Sequence, residues 1–140
     1  MDKEVRQKWL EEGYRQFAEE GPNSLSVNQI SKNIDISRSS FYHYFGDTEL
    51  FIDFLLEEHY QICAEFNSAG KIKCQKLMPD LYNLLSKYPI PLKFSWQLFH
   101  HRYIPKFNYV FISTYQAGAK AFALDLFAEH LNLNLPDIVV

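Results

Sequence analysis

Cysteine is scarce in this chain. Its 140 residues hold only two, Cys63 and Cys74, which sit in no metal-type cluster and do not make a disulfide scaffold. The expectation is two reduced thiols in a cytosolic protein. Long apolar runs are missing: none reaches the roughly 18 residues a membrane helix needs. The N-terminus, MDKEVRQKWLEEG, is charged and lacks the apolar core of a signal peptide. No membrane partner is expected, and the expected localisation is cytoplasmic. There is no glycine-rich phosphate loop, no Ser/His/Asp set and no pair of carboxylates in a plausible cleft, which argues against an enzyme. The adjacent His100 and His101 would point about 100° apart on a helix. With no acid or thiol at ligand spacing, neither a metal nor another cofactor is expected. Strand-type alternation and internal repeats are also absent.

What remains is rich in apolar groups. Hydrophobic residues make up 47% and aromatics 16%, enough for a sizeable core and too many for a disordered chain. The net charge of −3 is weakly unfavourable for a nucleic-acid partner, but its distribution matters more. Residues 1–50 carry six bases and nine acids, most of the acids lying before Pro22. From Ser26 to Phe45 there are two bases, Lys32 and Arg38, and one acid, Asp35.

Helical periodicity runs through most of the chain. Val5, Trp9, Tyr14, Phe17 and Ala18 mark the face of a helix over Glu4–Glu20, ended by Gly21-Pro22. Ser26 suits the N-cap of a short helix through Asn33, with Val27, Ile30 and Ile34 inward. Asp35-Ile36-Ser37 breaks the pattern, and Ser37 caps a third helix over Arg38–Phe45. Gly46 stops that helix, and Asp47 or Thr48 caps a fourth through Phe66. SAGKIKCQK reads as a linker or frayed end. Pro79 opens or kinks a helix with the face Leu77, Leu81, Leu84, Leu85 and Tyr88, which Pro89 and Pro91 end. Leu92, Trp96, Phe99 and Tyr103 recur at helical spacing, and a last helix covers Tyr109–His130 with the stripe Phe111, Tyr115, Ala119, Phe122 and Leu126. Ala117, Gly118, Ala119, Ala121 and Ala123 permit close helix approach, within the chain or between subunits. The fold class is all-α, in about seven helices.

Helix, three-residue break and serine-capped helix is the geometry of a helix-turn-helix. The second helix must show small hydrogen-bonding side chains to the major groove while large apolar groups anchor its other face. SRSSFYHYF, Ser37 to Phe45, is built that way, with four aromatics, three serines, one arginine and no acid. Phe41 and Phe45, four apart, share the anchoring face and are expected to pack on Phe17, Ile30, Ile34 and Ile36. Arg38, Ser39, Ser40 and His43 lie on or near the other face, and Tyr42 is placed to reach a phosphate. Helix N-termini at Ser26, Ser37 and Thr48 offer backbone N–H groups to phosphates. With Asn28, these make the expected DNA-contacting set. Lys32 reads as a solvated charge or a distant phosphate partner rather than a base reader.

Residues 4–60 resemble the N-terminal domain of TetR-family transcriptional regulators. The matching words are FAEEG (Phe17–Gly21), SVNQIS (Ser26–Ser31) and IDISRSSFYHYFGDTEL (Ile34–Leu50). The resemblance implies a three-helix DNA-binding head with a helix-turn-helix, residues 1–60, joined to a helical ligand-binding and dimerisation lobe, residues 61–140. It implies a homodimer on a roughly palindromic double-stranded DNA operator, repression as the commoner outcome, and a small-molecule effector. Tyr82, Phe94, Trp96, Phe99, Tyr103, Phe107, Phe111 and Tyr115 are the aromatic set expected to line the effector cavity or fill the core. The chain departs from the family in having Ser31 and Ile34 where alanine is usual, Asp35 where glycine is usual, and Thr48 where a phosphate-holding lysine is common. It stops at LNLPDIVV, so a truncated chain or a reduced dimer interface is expected. The alternative reading is a small-molecule-binding or protein-interaction module that kept the fold and lost DNA affinity.

Overall fold

A computed structural model describes residues 2–132; the closing LNLPDIVV lies outside the described residues. Every regular element described is helical: α1 (Asp2–Glu20), α2 (Val27–Ile34), α3 (Arg38–Phe45), α4 (Thr48–Lys73), α5 (Tyr82–Leu85), α6 (Pro89–His100), α7 (Pro105–Gly118) and α8 (Leu124–Leu131). A π-helical segment, Leu77–Leu81, leads into α5. Another, Ala119–Ala123, joins α7 to α8 with helical dihedrals at both junctions. The expected last long helix is thus one rod from Pro105 to Leu131.

The main core is a stack of rings between α1, α3, α4, α6 and α7. Trp9, Phe17, Phe41, Phe45, Phe51, Phe94 and Phe107 are all essentially inaccessible to solvent. Phe94 of α6 stacks on both Tyr14 and Phe17 of α1, with ring centroids 4.3 Å apart in each case. Phe107 of α7 meets Phe17 edge-on at 5.6 Å. Fully burying each such ring is worth roughly 1.5–3 kcal/mol, so α6 is bound firmly to the first helix. Phe41 and Phe45 are anchors as expected, in one core cluster with Phe17, Ile30, Ile34 and Ile36; Trp9, Phe51 and Phe54 give them further ring contacts. A second, smaller core gathers Cys74, Leu84, Phe122 and Leu126. There α4 and the α7–α8 rod touch closely: a Cβ on Gly70 would lie 2.3 Å from the Phe122 ring.

Three local expectations are corrected. SAGKIKCQK is not a linker, since α4 continues to Lys73; Gly70 survives inside it because only a missing side chain admits Phe122. Pro89 and Pro91 do not end a helix: Pro89 opens α6, where the missing N–H has no helical partner to lose. Leu92, Trp96 and Phe99 form the exposed face of α6, with Tyr103 exposed in the turn after it; the buried face of α6 is Phe94, Gln97 and Leu98.

Candidate nucleic-acid interface

The turn between α2 and α3 depends on one residue. Asp35 adopts the left-handed conformation, φ 56° and ψ 46°, and its N–H reaches the Lys32 carbonyl. Aspartate tolerates that region better than most side chains, so the turn survives without glycine. Ser31 closes it by donating its hydroxyl to the Ile36 carbonyl. Upstream, Ser26 caps α2: its hydroxyl accepts the Gln29 N–H at 3.2 Å, and its own N–H donates to the buried Gln16 side chain at 2.8 Å. Gln16 therefore ties the start of α2 to α1.

On α3, Arg38, Ser39, Tyr42 and His43 are exposed, while Phe41 and Phe45 are buried. The Arg38 guanidinium donates to the Asn28 carboxamide oxygen at 2.8 Å. That contact orients the arginine across the two helices and leaves most of its five donors for other partners. Ser37 does not cap α3 with its side chain; its hydroxyl pairs with Ser39 at 2.9 Å.

Ser40 has another role. Its hydroxyl accepts the indole N–H of the buried Trp9 at 2.8 Å and donates to the Ser37 carbonyl at 2.9 Å. It is half-buried, with its donor and one acceptor position both in use, and it fastens α3 to α1. The sequence held a signal for this, since α3 needed an N-terminal anchor as well as its two phenylalanines.

At the start of α4 the structure selects one of the two expected caps. Asp47, not Thr48, is the cap, accepting the Leu50 N–H at 2.8 Å. Thr48 is exposed as the first helical residue. A carboxylate on that N-terminal turn uses the positive helix end for itself and repels a phosphate. Nearby Glu49 and Asp53 both pair with Lys106 of α7, at 3.1 and 3.3 Å.

Behind the head, a cleft of about 500 Å³ opens between α4, α6 and the α7–α8 rod, lined mainly by apolar side chains such as Phe66, Leu85, Phe111 and Phe122. Phe111 and Tyr115, two of the aromatic set, line it. The other expected lining residues do not. Phe94 and Phe107 fill the main core, Tyr82 stands exposed on α5, and Trp96, Phe99 and Tyr103 lie on the outer surface. A polar chain forms the cleft's floor. Ser95, which lines the cleft, meets His59 Nε2 at 3.1 Å, and His59 Nδ1 meets the Tyr14 hydroxyl of α1 at 2.8 Å. Burial holds the His59 pKa down, to about 4, and pushes the neighbouring Cys63 thiol up to about 11. The same burial raises the Tyr14 pKa. All three groups are thus neutral at physiological pH. His59 and Cys63, four apart, were legible as one helical face; no sequence signal joined either to Ser95 or Tyr14. Among the described residues, no group of His, Cys, Asp and Glu side chains is arranged to hold a metal ion, and no helix is long and apolar enough to cross a membrane.

A capped helix, a left-handed turn and an anchored second helix with a polar outer face define a helix-turn-helix protein of the DNA-binding class. Residues 10–52, the head of the chain, match the family described as bacterial regulatory proteins, tetR family. No curated protein sequence matches the chain. Among solved structures it is similar in fold to a transcriptional regulator (TerR/AcrR family) from Aquifex aeolicus VF5, with 20% identity and a TM-score of 0.63, over 89% of this chain and 72% of that one.

Proposed function

We propose that this chain reads a specific double-stranded DNA sequence with α3 in the major groove and represses transcription in the cytoplasm as an effector-responsive homodimer. Residues 1–60 act as the DNA-binding head and 61–140 as the regulatory and dimerisation part, with α4 running across that division. The observation that carries this reading is the two-sidedness of α3, where Arg38, Ser39, Tyr42 and His43 face solvent from a helix held by Phe41, Phe45 and the Trp9–Ser40 bond. Arg38 is assigned to a guanine edge or phosphate, Ser39 and His43 to base edges, and Tyr42 to a phosphate. Asn28 orients Arg38, and Ser26 and Ser37 set the helix starts. Two such helices would enter successive grooves about 34 Å apart on a roughly palindromic operator. Exposed Trp96, Tyr103 and Tyr109 supply apolar surface for a subunit contact. The Ser95–His59–Tyr14 chain supports effector control, because it links the cleft directly to α1.

The test is selection from a random duplex pool, followed by gel shifts across a salt series. Arg38→Ala should weaken specific binding by about 1–3 kcal/mol if it reads a base. Equal affinity of both proteins for the selected site would remove Arg38 from the interface. The acidic start of α4, with Asp47 and Glu49, favours a second reading: a ligand-binding or interaction module with weakened DNA affinity. A steep fall of log K with log salt belongs to the first reading, and a flat response to the second.

A further inference from the structure

The cleft's lining is unusual in what it omits. No Asp, Glu, Lys, Arg or His side chain lines it; Cys63 does, and both it and His59, which lies behind Ser95, are held neutral by burial. An ion entering would lose its hydration with no counter-charge to replace it. Two of the polar groups that remain are committed. Thr114 donates its hydroxyl to the Val110 carbonyl at 2.8 Å, and Ser95 is engaged with His59. Asn67 is different. It is half-buried in the wall, and its side chain makes no hydrogen bond to another described residue. Gly118 lets it sit close to α7: a Cβ there would lie 3.3 Å from the Asn67 Oδ1. A carboxamide both donates and accepts, so it can read a hydroxyl, a carbonyl or an amide equally well.

We infer that the cleft binds an uncharged, predominantly apolar molecule whose hydrogen-bonding group is read by the Asn67 carboxamide. This deepens the effector reading of the same cleft and rests on it. Phe66, Phe111 and Phe122 supply the apolar walls, and the cleft's volume of about 500 Å³ falls in the ordinary range for small-molecule sites.

The test titrates the intact protein with three probes of one length, 1-decanol, decanoate and decylammonium, by calorimetry at neutral pH. Decanol should bind at least about tenfold more tightly than either ion, the cost of an unpaired charge in an apolar site. Asn67→Leu should weaken decanol about 2- to 10-fold, the worth of one hydrogen bond. Ala119→Trp, which fills the cleft, should abolish binding; Ala123→Leu replaces it should that variant not fold by circular dichroism. Equal or tighter binding of either ion overturns the inference. So does decanol binding that survives cleft filling, or binding by none of the three up to their solubility limits, the result expected if a second copy's helix occupies the cleft. Decanol bound in the cleft with DNA affinity unchanged would leave the ligand class standing and remove the effector reading.

Discussion

Replacing Ser40 by alanine should separate the residues that hold α3 from those that face outward. Trp9 is fully buried, and its indole N–H has Ser40 as its partner at 2.8 Å. Removing the hydroxyl leaves a buried donor unsatisfied, which costs about 1–3 kcal/mol. The bond from Ser40 to the Ser37 carbonyl is lost as well, but it lies nearer solvent, where water replaces part of it. For a domain of this size the total corresponds to a melting temperature lower by about 4–10 °C. Ser39→Ala is the control: its side chain is exposed and bonds only another exposed serine, so its stability cost should stay within about 0.5 kcal/mol.

The assay is urea unfolding of both variants, with a double-mutant cycle through Trp9→Phe. Phenylalanine removes the donor, so Ser40→Ala in that background should lose most of its cost, leaving a coupling energy of about 1–2 kcal/mol. DNA affinity, measured well below the melting transition, should change for Ser39→Ala and hold for Ser40→Ala. If the two serine variants unfold alike and the cycle shows no coupling, the Trp9–Ser40 bond is not what fixes the N-terminal end of α3.

Three further outcomes follow from the geometry. The His59 pKa is lowered by burial from 6.5 to about 4; the unfolded chain therefore takes up the proton first as pH falls, and its stabilising contribution, fully present above about pH 6.5, is lost toward pH 4. Unfolding free energy should drop by about 2 kcal/mol between pH 8 and pH 5, and a His59→Leu variant showing the same drop would assign it to other groups. Gly70→Ala should destabilise by about 1–3 kcal/mol, because its Cβ would overlap the Phe122 ring; thermal melting at or above the parent's temperature would mean that the ring moves aside freely. Asp35→Gly should stabilise by up to about 1 kcal/mol and Asp35→Val should destabilise by about 1–2 kcal/mol, since φ is 56° there; equal stability of the two in urea would show that the turn does not hold that conformation in solution.

The head was legible in the sequence because its constraints are local. A cap at Ser26, a break at Asp35, a cap-and-stop pair around α3 and an i, i+4 phenylalanine pair each report on a few neighbouring residues, and the bounds of α2 and α3 follow closely. The cleft was not legible, because α6 carries two apolar stripes. Leu92, Trp96, Phe99 and Tyr103 recur at helical spacing as clearly as Phe94 and Leu98 do, and periodicity says that a face exists without saying which side meets the core. The choice fell to Phe94, whose ring fits between Tyr14 and Phe17, a fit between residues some eighty positions apart in sequence that no single-helix pattern contains. Once Phe94 is inward, Ser95 is turned to His59 and the Trp96 side is turned to solvent, and α6 gives the cleft Pro91, Leu92 and Ser95 in place of aromatic rings. The same step puts the cleft floor in hydrogen-bond contact with α1. One packing choice on α6 therefore keeps Phe94, Trp96 and Phe99 out of the cleft lining and creates the polar connection between cleft and head.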